Sequence, residues 1–505
     1  MFTRILIANR GEIAVRIIRA CREMGIVSAT VFSEIDRKAL HVRLADEAYP
    51  IGASPASESY LDMRKIVAAA GRCGAQAVHP GYGFLAENPE FAGLVESEGF
   101  VFIGPPPGAI RLLGDKIEAR KTMRAAGIPI VPGSEAQIES EEQAAAVSET
   151  LGYPVLIKAA AGGGGKGIRI VRKKEEIRAA LDIASSEARS AFADSRVYIE
   201  KYLDRPRHVE VQILADRYGA VVNLGERECS IQRRYQKMIE ESPSPVVDEP
   251  MRRRLGETAV AAARAADYVN AGTMEFLVDK DRDFYFLESN TRLQVEHPVS
   301  ELVTGIDIVK EQIKIAAGER LSFGQGDVRR QGAALECRIN AEDPDNDFLP
   351  SCGTVGSYLE PAGPGVRVDS GLYEGCEIPL LYDPIVAKLI TWGTDRGEAI
   401  RRMVRSLAEY RIAGVATSVP FHRKVMANPR FLSGDLSTHF IEEEFGREAQ
   451  DARRTGDEST QVAAIVSAWV DYRERKKPPA ACRETRAEES KWKTEGRQRG
   501  LRQLS

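Results

Sequence analysis

Along the first hundred residues, short apolar runs alternate with stretches whose apolar positions recur every three or four residues. Residues 4–9 form an Ile-rich run that predicts a strand, and Ile13, Ile17, Ile18 and Cys21 then fall at helical spacing until Gly25. The alternation repeats as a strand at 27–32, a helix at 61–70 ended by Gly71, a strand at 75–78, a helix at 91–97 and a strand at 100–103. Breakers punctuate it: His79-Pro80-Gly81-Tyr82-Gly83 after one strand, Gly104-Pro105-Pro106-Pro107 after the last. Such alternation predicts a doubly wound parallel sheet, an α/β domain that closes at the proline run.

The middle third follows another pattern. One helix is expected over 110–126, strands at 153–158 and 168–171 on either side of a glycine run, strands at 197–202 and 208–215, and an Ala/Arg-rich helix over 251–268. Strands at 272–278 and 284–289 flank the polar turn 279–283, which makes this an α+β region with hairpins. From about 331 the chain turns to short β segments (334–339, 366–369) and then helices at 396–410 and 438–445. The expected domains are 1–114 (doubly wound parallel sheet), 115–330 (α+β), 331–445 (β-rich) and a polar tail at 446–505, interrupted by an apolar helical stretch at 462–470.

Composition narrows the function. A length of 505 residues suits about three domains. With 43% hydrophobic and 29% charged residues and a net charge of −4, the chain has ordinary soluble composition and no nucleic-acid bias. Residues 471–505 differ, with eleven Lys/Arg against six Asp/Glu. No apolar run reaches the roughly 18 residues of a membrane span, and the apolar start is too short for a signal peptide. The seven cysteines form no Cys-x-x-Cys and are odd in number, which fits a reducing cytoplasm better than a disulfide framework. No His-x-x-x-His pair supports zinc.

Two constellations carry candidate chemistry. Four glycines at 162–165, preceded by Lys158 and followed by Lys166, make a hairpin whose amides can approach an anion closely. Walker A is excluded, because Gly167 stands where Ser or Thr is required. The second constellation is Glu275 with the segment Glu288-Ser289-Asn290-Thr291-Arg292-Leu293-Gln294-Val295-Glu296. If that segment is extended, Glu288, Asn290, Arg292, Gln294 and Glu296 share a face. A short turn near Asp281 then brings Glu275 opposite Glu288 or one step off. Two carboxylates and an amide oxygen suit Mg²⁺, Arg292 suits a small planar anion, and Glu296 suits a general base. Lys116, His208, Lys237 and Arg338 are weaker alone, since each also reads as an ordinary charged or structural side chain. At Asn9-Arg10-Gly11-Glu12-Ile13 the G-x-G-x-x-G of dinucleotide binding is absent, so that turn reads as scaffold.

Residues 1–445 resemble the biotin carboxylase component of biotin-dependent carboxylases, an ATP-grasp enzyme. The resemblance rests on Ile7-Ala8-Asn9-Arg10-Gly11-Glu12-Ile13-Ala14, on residues 79–88 from His79 to Asn88, and on the glycine loop after Lys158. It continues through Glu200-Lys201-Tyr202-Leu203, Arg207-His208-Val209-Glu210, the segment Asn290 to Pro298, and Glu336-Cys337-Arg338-Ile339-Asn340-Ala341-Glu342-Asp343. It implies ATP- and bicarbonate-dependent carboxylation of biotin through carboxyphosphate. Carried over position by position, it implies that Lys116, Lys158, Gly164, Gly165 and His208 bind ATP and that Glu200, Lys201, Tyr202 and Leu203 line the adenine pocket. It implies Glu275, Glu288 and Asn290 for magnesium (or manganese), and Lys237, Arg292, Gln294 and Val295 for bicarbonate. Glu296 is implied as the base, and Arg338 as the group that stabilises the biotin enolate.

The cofactors implied are ATP, Mg²⁺ and biotin on a carrier. No Met-Lys attachment dipeptide occurs, so a separate biotin carboxyl carrier protein and a separate carboxyltransferase subunit are expected. A homodimer is expected, with the tail, including 462–472 and 490–497, docking a partner subunit. An acetyl-CoA or other acyl-CoA carboxylase is the expected setting. The alternatives are a two-subunit pyruvate carboxylase, another ATP-grasp ligase, or a non-catalytic assembly subunit. Three positions depart from the family pattern: Tyr235, Ser289 and the Ala160-Ala161 pair. Ser289 is expected to alter packing behind the metal strand, and Ala160-Ala161 to stiffen the glycine lid.

Overall fold

In the computed structural model, which describes residues 1–160, 167–192 and 194–446, the Ile-rich run at the start becomes the centre of a sheet. β1 (Arg4–Ile7) lies between β2 (Val27–Ser33) and β4 (Ala77–His79). β3 (Glu47–Gly52) and β5 (Val101–Phe102) form the edges, and every pairing is parallel. Ile5, Leu6 and Ile7 are fully buried, as a parallel strand covered on both faces requires. The first helix, α1 (Gly11–Glu23), packs Ile13, Ile17, Ile18 and Cys21 into the core against β1. β3 escaped the sequence reading because an edge strand needs no apolar run; only Ile51 in it is buried. The helix expected at 61–70 is Met63–Cys73: Asp62 caps it by accepting the Lys65 amide, and Gly74, at φ +64°, ends it.

The single helix expected over 110–126 is two, Pro107–Gly114 and Lys116–Ala125. Asp115 divides them by accepting the Ile117 and Glu118 amides, which puts Lys116 at the first position of the second helix. Beyond it, β6 (Val155–Ala159) is flanked by β7 (Arg169–Val171) and β8 (Val197–Lys201) in a small antiparallel sheet.

The large sheet has eight antiparallel strands. They are β9 (Arg207–Ala215), β10 (Val221–Arg233), β11 (Gln236–Ser242), β12 (Asn270–Val278), β13 (Phe284–Asn290), β14 (Ala333–Asn340), β15 (Val366–Ser370) and β16 (Ile385–Gly393), in the order β13-β12-β9-β10-β11-β14-β16-β15. β10 and β11 were missed because their buried positions include Glu226, Arg227, Glu228, Glu240 and Glu241, which break the apolar signal. The segment after Glu288 is not extended throughout. β13 ends at Asn290, residues 291–296 form a turn, and Glu296 precedes the helix His297–Thr304, whose first turn carries Pro298.

Residues 1–445 pack as one compact unit, with the large sheet continuing from β11 into β14. The six described cysteines are free. No described helix is long and apolar enough to cross a membrane. The glycines at 162–165, Ala161 and the stretch at 462–470 lie outside the described residues.

Candidate active site

The large sheet sets a row of charge across four strands. Glu210 on β9 pairs in register with Arg227 on β10 and with Glu275 on β12, and Glu275 pairs with Glu288 on β13. The opposite register, one of the two that the turn length allowed, is therefore the one adopted. Carboxylates directly opposite one another repel unless cations lie between them. Lys237 on β11 supplies one: its Nζ lies 2.5 Å from Glu210 Oε2, 2.7 Å from Glu275 Oε1 and 2.7 Å from Glu296 Oε1. Arg227 supplies another. Fully buried, it donates to Glu210, Gln212, Ser300, Thr273 and Gln294, the last at 2.9 Å. His208 Nε2 lies 2.8 Å from Glu275 Oε2, and Gln232 Nε2 is 2.6 Å from the other ring nitrogen.

The turn after β13 brings the remaining predicted groups over this row. Asn290 Nδ2 and Gln294 Nε2 donate to Glu275 Oε1 at 2.6 and 2.8 Å. Arg292 donates to Asn290 Oδ1 at 3.1 Å and through Nε to Glu87 Oε2 at 2.8 Å, so the amino-terminal domain helps to aim it. The Val295 carbonyl accepts from the fully buried Lys388 at 2.9 Å. Glu296 is shared between Lys237 and Arg338, whose Nη2 lies 2.9 Å from Glu296 Oε2, while Arg338 Nε reaches Glu240 Oε1 at 2.5 Å.

The small sheet gathers a second set. Lys158 on β6 donates to Glu200 Oε2 on β8 at 2.7 Å, and Arg120 pairs with the other carboxylate oxygen. The Glu200 side chain is thereby occupied on both oxygens. Lys201 turns away to the Gly152 carbonyl, and the Tyr202 hydroxyl lies 3.4 Å from His439 Nε2. Leu203 follows just beyond β8 and makes no polar contact of its own. Lys116 Nζ meets Glu288 Oε2 at 2.7 Å and so links the helix it begins to β13. Gly164 and Gly165 lie outside the described residues.

The electrostatics follow from these contacts. Burial alone would raise Glu296, but Lys237, Arg338 and Arg227 hold it well below the usual carboxylate range; Lys237 and His208 do the same for Glu275. Burial works against the charge on Lys237, yet Glu210, Glu275 and Glu296 raise its pKa well above the ordinary lysine value. Lys158 and Arg120 likewise overcome burial and lower Glu200. Glu296 is thus ionised and aimed by two cations, as a proton acceptor requires. A divalent cation fits the Glu275–Glu288 pair with Asn290. Their donors are oxygens on paired strand positions, and the carboxylates are met by the side chains of Lys237, His208 and Lys116.

Sequence reasoning missed Arg227, Arg120 and Glu240, and assigned no role to Glu210 or Glu87. Arg227 lies in Glu226-Arg227-Glu228, which reads as a solvated charge run; its only signal is the apolar stretch on either side. Of the departures, Ser289 turns its hydroxyl to Met274 Sδ at 2.9 Å. Tyr235 is exposed at φ +65° in the β10–β11 turn, and Ala160 is fully buried.

Three family models match the chain in order. They are the biotin carboxylase N-terminal domain over residues 1–110, the carbamoyl-phosphate synthase L chain ATP-binding domain over 115–323, and the biotin carboxylase C-terminal domain over 336–443. The chain is 54% identical over 442 residues to a biotin carboxylase of Nostoc sp., covering 88% of this chain and 99% of that one. It is 49% identical over 488 residues to the propionyl-CoA carboxylase alpha chain of Ruegeria pomeroyi, covering 93% of this chain and 72% of that one. Among solved structures it is similar to the biotin carboxylase domain dimer of the Hydrogenobacter thermophilus 2-oxoglutarate carboxylase, in complex with MgADP, ADP and bicarbonate. That match has a TM-score of 0.86 and 48% identity, and covers 88% of this chain and 98% of the other.

Proposed function

The chain belongs to the biotin carboxylase family of ATP-dependent ligases, and from that premise we propose how its residues divide the carboxylation of biotin. Lys116, Lys158 and His208, with Gly164 and Gly165, hold the nucleotide, and Glu200 to Leu203 line its adenine pocket. Mg²⁺ on Glu275, Glu288 and Asn290 neutralises polyphosphate charge when bound. Lys237, Arg292, Gln294 and the Val295 backbone hold bicarbonate. Glu296 takes its proton, and the freed oxygen attacks the γ-phosphorus as the bond to ADP breaks, giving carboxyphosphate. Carboxyphosphate then splits into CO₂ and phosphate within the site; the released phosphate takes the N1 proton of biotin, and N1 attacks CO₂. Arg338 faces the enolate oxygen that develops on the biotin ureido group. Phosphoryl transfer of this kind rests on positioning and charge neutralisation, which this cluster supplies.

The observation that carries the reading is Glu296 held between Lys237 and Arg338, with Arg292 and Gln294 converging on the same pocket. The test follows ADP release from MgATP with free biotin and bicarbonate added singly and together. Turnover that requires both supports the reading. Turnover indifferent to biotin would point to another ATP-grasp ligase, and no turnover to an assembly subunit.

The finer setting we infer is the first half-reaction of an acetyl-CoA or other acyl-CoA carboxylase. Its partners would be a biotin carboxyl carrier protein and a carboxyltransferase subunit, with the chain acting as a cytoplasmic homodimer. In support, the match to the acyl-CoA carboxylase alpha chain extends over 93% of this chain, against 88% for the biotin carboxylase. The ATP-binding subunit of a two-subunit pyruvate carboxylase is the second reading. Co-purification of the transferase decides between them. We assign residues 1–114, 115–330 and 331–445 to the three successive domains and 446–505 to partner docking. Deleting 446–505 is expected to weaken assembly and to spare activity on free biotin; unchanged assembly would remove the docking role.

A further inference from the structure

Strands β11 and β14 carry a second pair of carboxylates that the reaction above does not use. Glu240 and Glu336 are direct partners in the antiparallel register, and both are fully buried. Direct partners project from the same face with Cβ atoms about 5 Å apart. Glu240 Oε1 accepts the Arg338 Nε–H, but Glu240 Oε2 and both oxygens of Glu336 are buried with no hydrogen-bond partner. Unpartnered carboxylate oxygens in one dry space are costly, and two adjacent carboxylates there do not both ionise. One proton on Glu336, donated to Glu240 Oε2, removes the repulsion and gives that oxygen a partner.

We propose that Glu240 is a positioning residue for Arg338 and that Glu336, as a neutral acid, holds Glu240 from behind. The proposal rests on the role given to Arg338 above. Two carboxylates compete for that guanidinium, Glu240 at Nε and Glu296 at Nη2. Gripping Nε from β11 fixes the plane of the fork, so that its remaining N–H groups face the pocket where the substrate oxygen develops charge. The other charged groups facing the pair are Lys237 on β11, Lys388 on β16 and Glu296 in the turn. Burial raises the Glu240 carboxyl to about 7 and Glu336 well above its ordinary value, in keeping with a proton held between them.

The test uses the full chain with MgATP, bicarbonate and free biotin. In E336Q the amide N–H replaces the acid proton, so kcat/KM for biotin should stay within about twofold of wild type. E336L removes the donor and E240Q removes the charge; each should lower biotin-dependent kcat/KM by about tenfold while the KM for ATP holds, and E336L should also melt below E336Q because Glu240 Oε2 loses its partner. Infrared spectra at pH 7 should show a carboxylic-acid C=O band in wild type that E336Q lacks. This reading does not depend on turnover or on whether E336L folds. An absent band, E336Q falling as far as E336L, E240Q at the wild-type rate, or equal losses toward ATP and biotin would each overturn the proposal. If R338A keeps full activity while the band is present, the role of Arg338 fails instead.

Discussion

Glu200 on the small sheet and Lys237 on the large one are electrostatic mirror images. Glu200 is a carboxylate between two cations, Lys158 and Arg120; Lys237 is a cation among three carboxylates, Glu210, Glu275 and Glu296. The first arrangement has positive charge to spare and suits polyphosphate. The second sets carboxylates around one lysine, with Arg227 on Glu210 and Arg338 on Glu296 beside it, and suits a divalent cation and proton transfer. Lys116, bound to Glu288, stands between them. Both clusters are buried, so each charge matters far more than it would at the surface. The two clusters differ in which sign sits at the centre: a carboxylate clasped by cations on the small sheet, a cation clasped by carboxylates on the large one.

Breaking the large-sheet cluster should have the largest effect. Lys237→Ala leaves three carboxylates buried together; biotin-dependent kcat should fall at least about 10³-fold, and stability by about 3–5 kcal/mol in denaturant unfolding. Glu296→Ala should lower kcat by about 10²–10⁴-fold and leave the KM for ATP within about threefold, since it removes the proton acceptor and an anchor of Lys237 and Arg338 but none of the nucleotide contacts proposed above. Arg338→Ala should cost about 10²-fold in kcat, again with ATP binding kept.

The smallest effect belongs to the small sheet. Glu200→Gln leaves Lys158 and Arg120 buried beside a neutral partner, so it should raise the KM for ATP by about tenfold without moving that for biotin. Its clearer mark is in the pH dependence of stability. Glu200 has a folded pKa below its usual 4.5, so its contribution is present above pH 4.5 and lost as pH falls through the folded value. Thermal melts from pH 7 downwards should therefore show the variant below wild type at neutral pH, with the gap closing in acid. A constant gap would mean that Glu200 acts through shape and not charge.

What the sequence could show was decided by where charge is buried. The parallel sheet was legible because β1 is a continuous apolar run followed by an amphipathic helix, and the Glu275–Glu288 pairing because two apolar-rich strands flank a short polar turn. The same logic failed for β10 and β11. Arg227, Glu240 and Glu241 face inward there, and local hydrophobicity cannot tell a buried charge from a solvated one. The bend after Asn290 was also hidden, since residues 291–296 reach one pocket by a turn and not by strand alternation. Motif resemblance found Glu296 and Arg338 separately, but only the fold brings together residues 42 positions apart.

The central claim is that the large-sheet cluster carboxylates biotin with bicarbonate activated by ATP. Labelled bicarbonate incubated with MgATP, free biotin and the chain tests it most directly, with acid-labile label on biotin as the readout. The account predicts label on biotin only when ATP is present, in step with ADP formed, and none with Glu296→Ala. ADP formation without label on biotin, or label transferred without ATP, would contradict it.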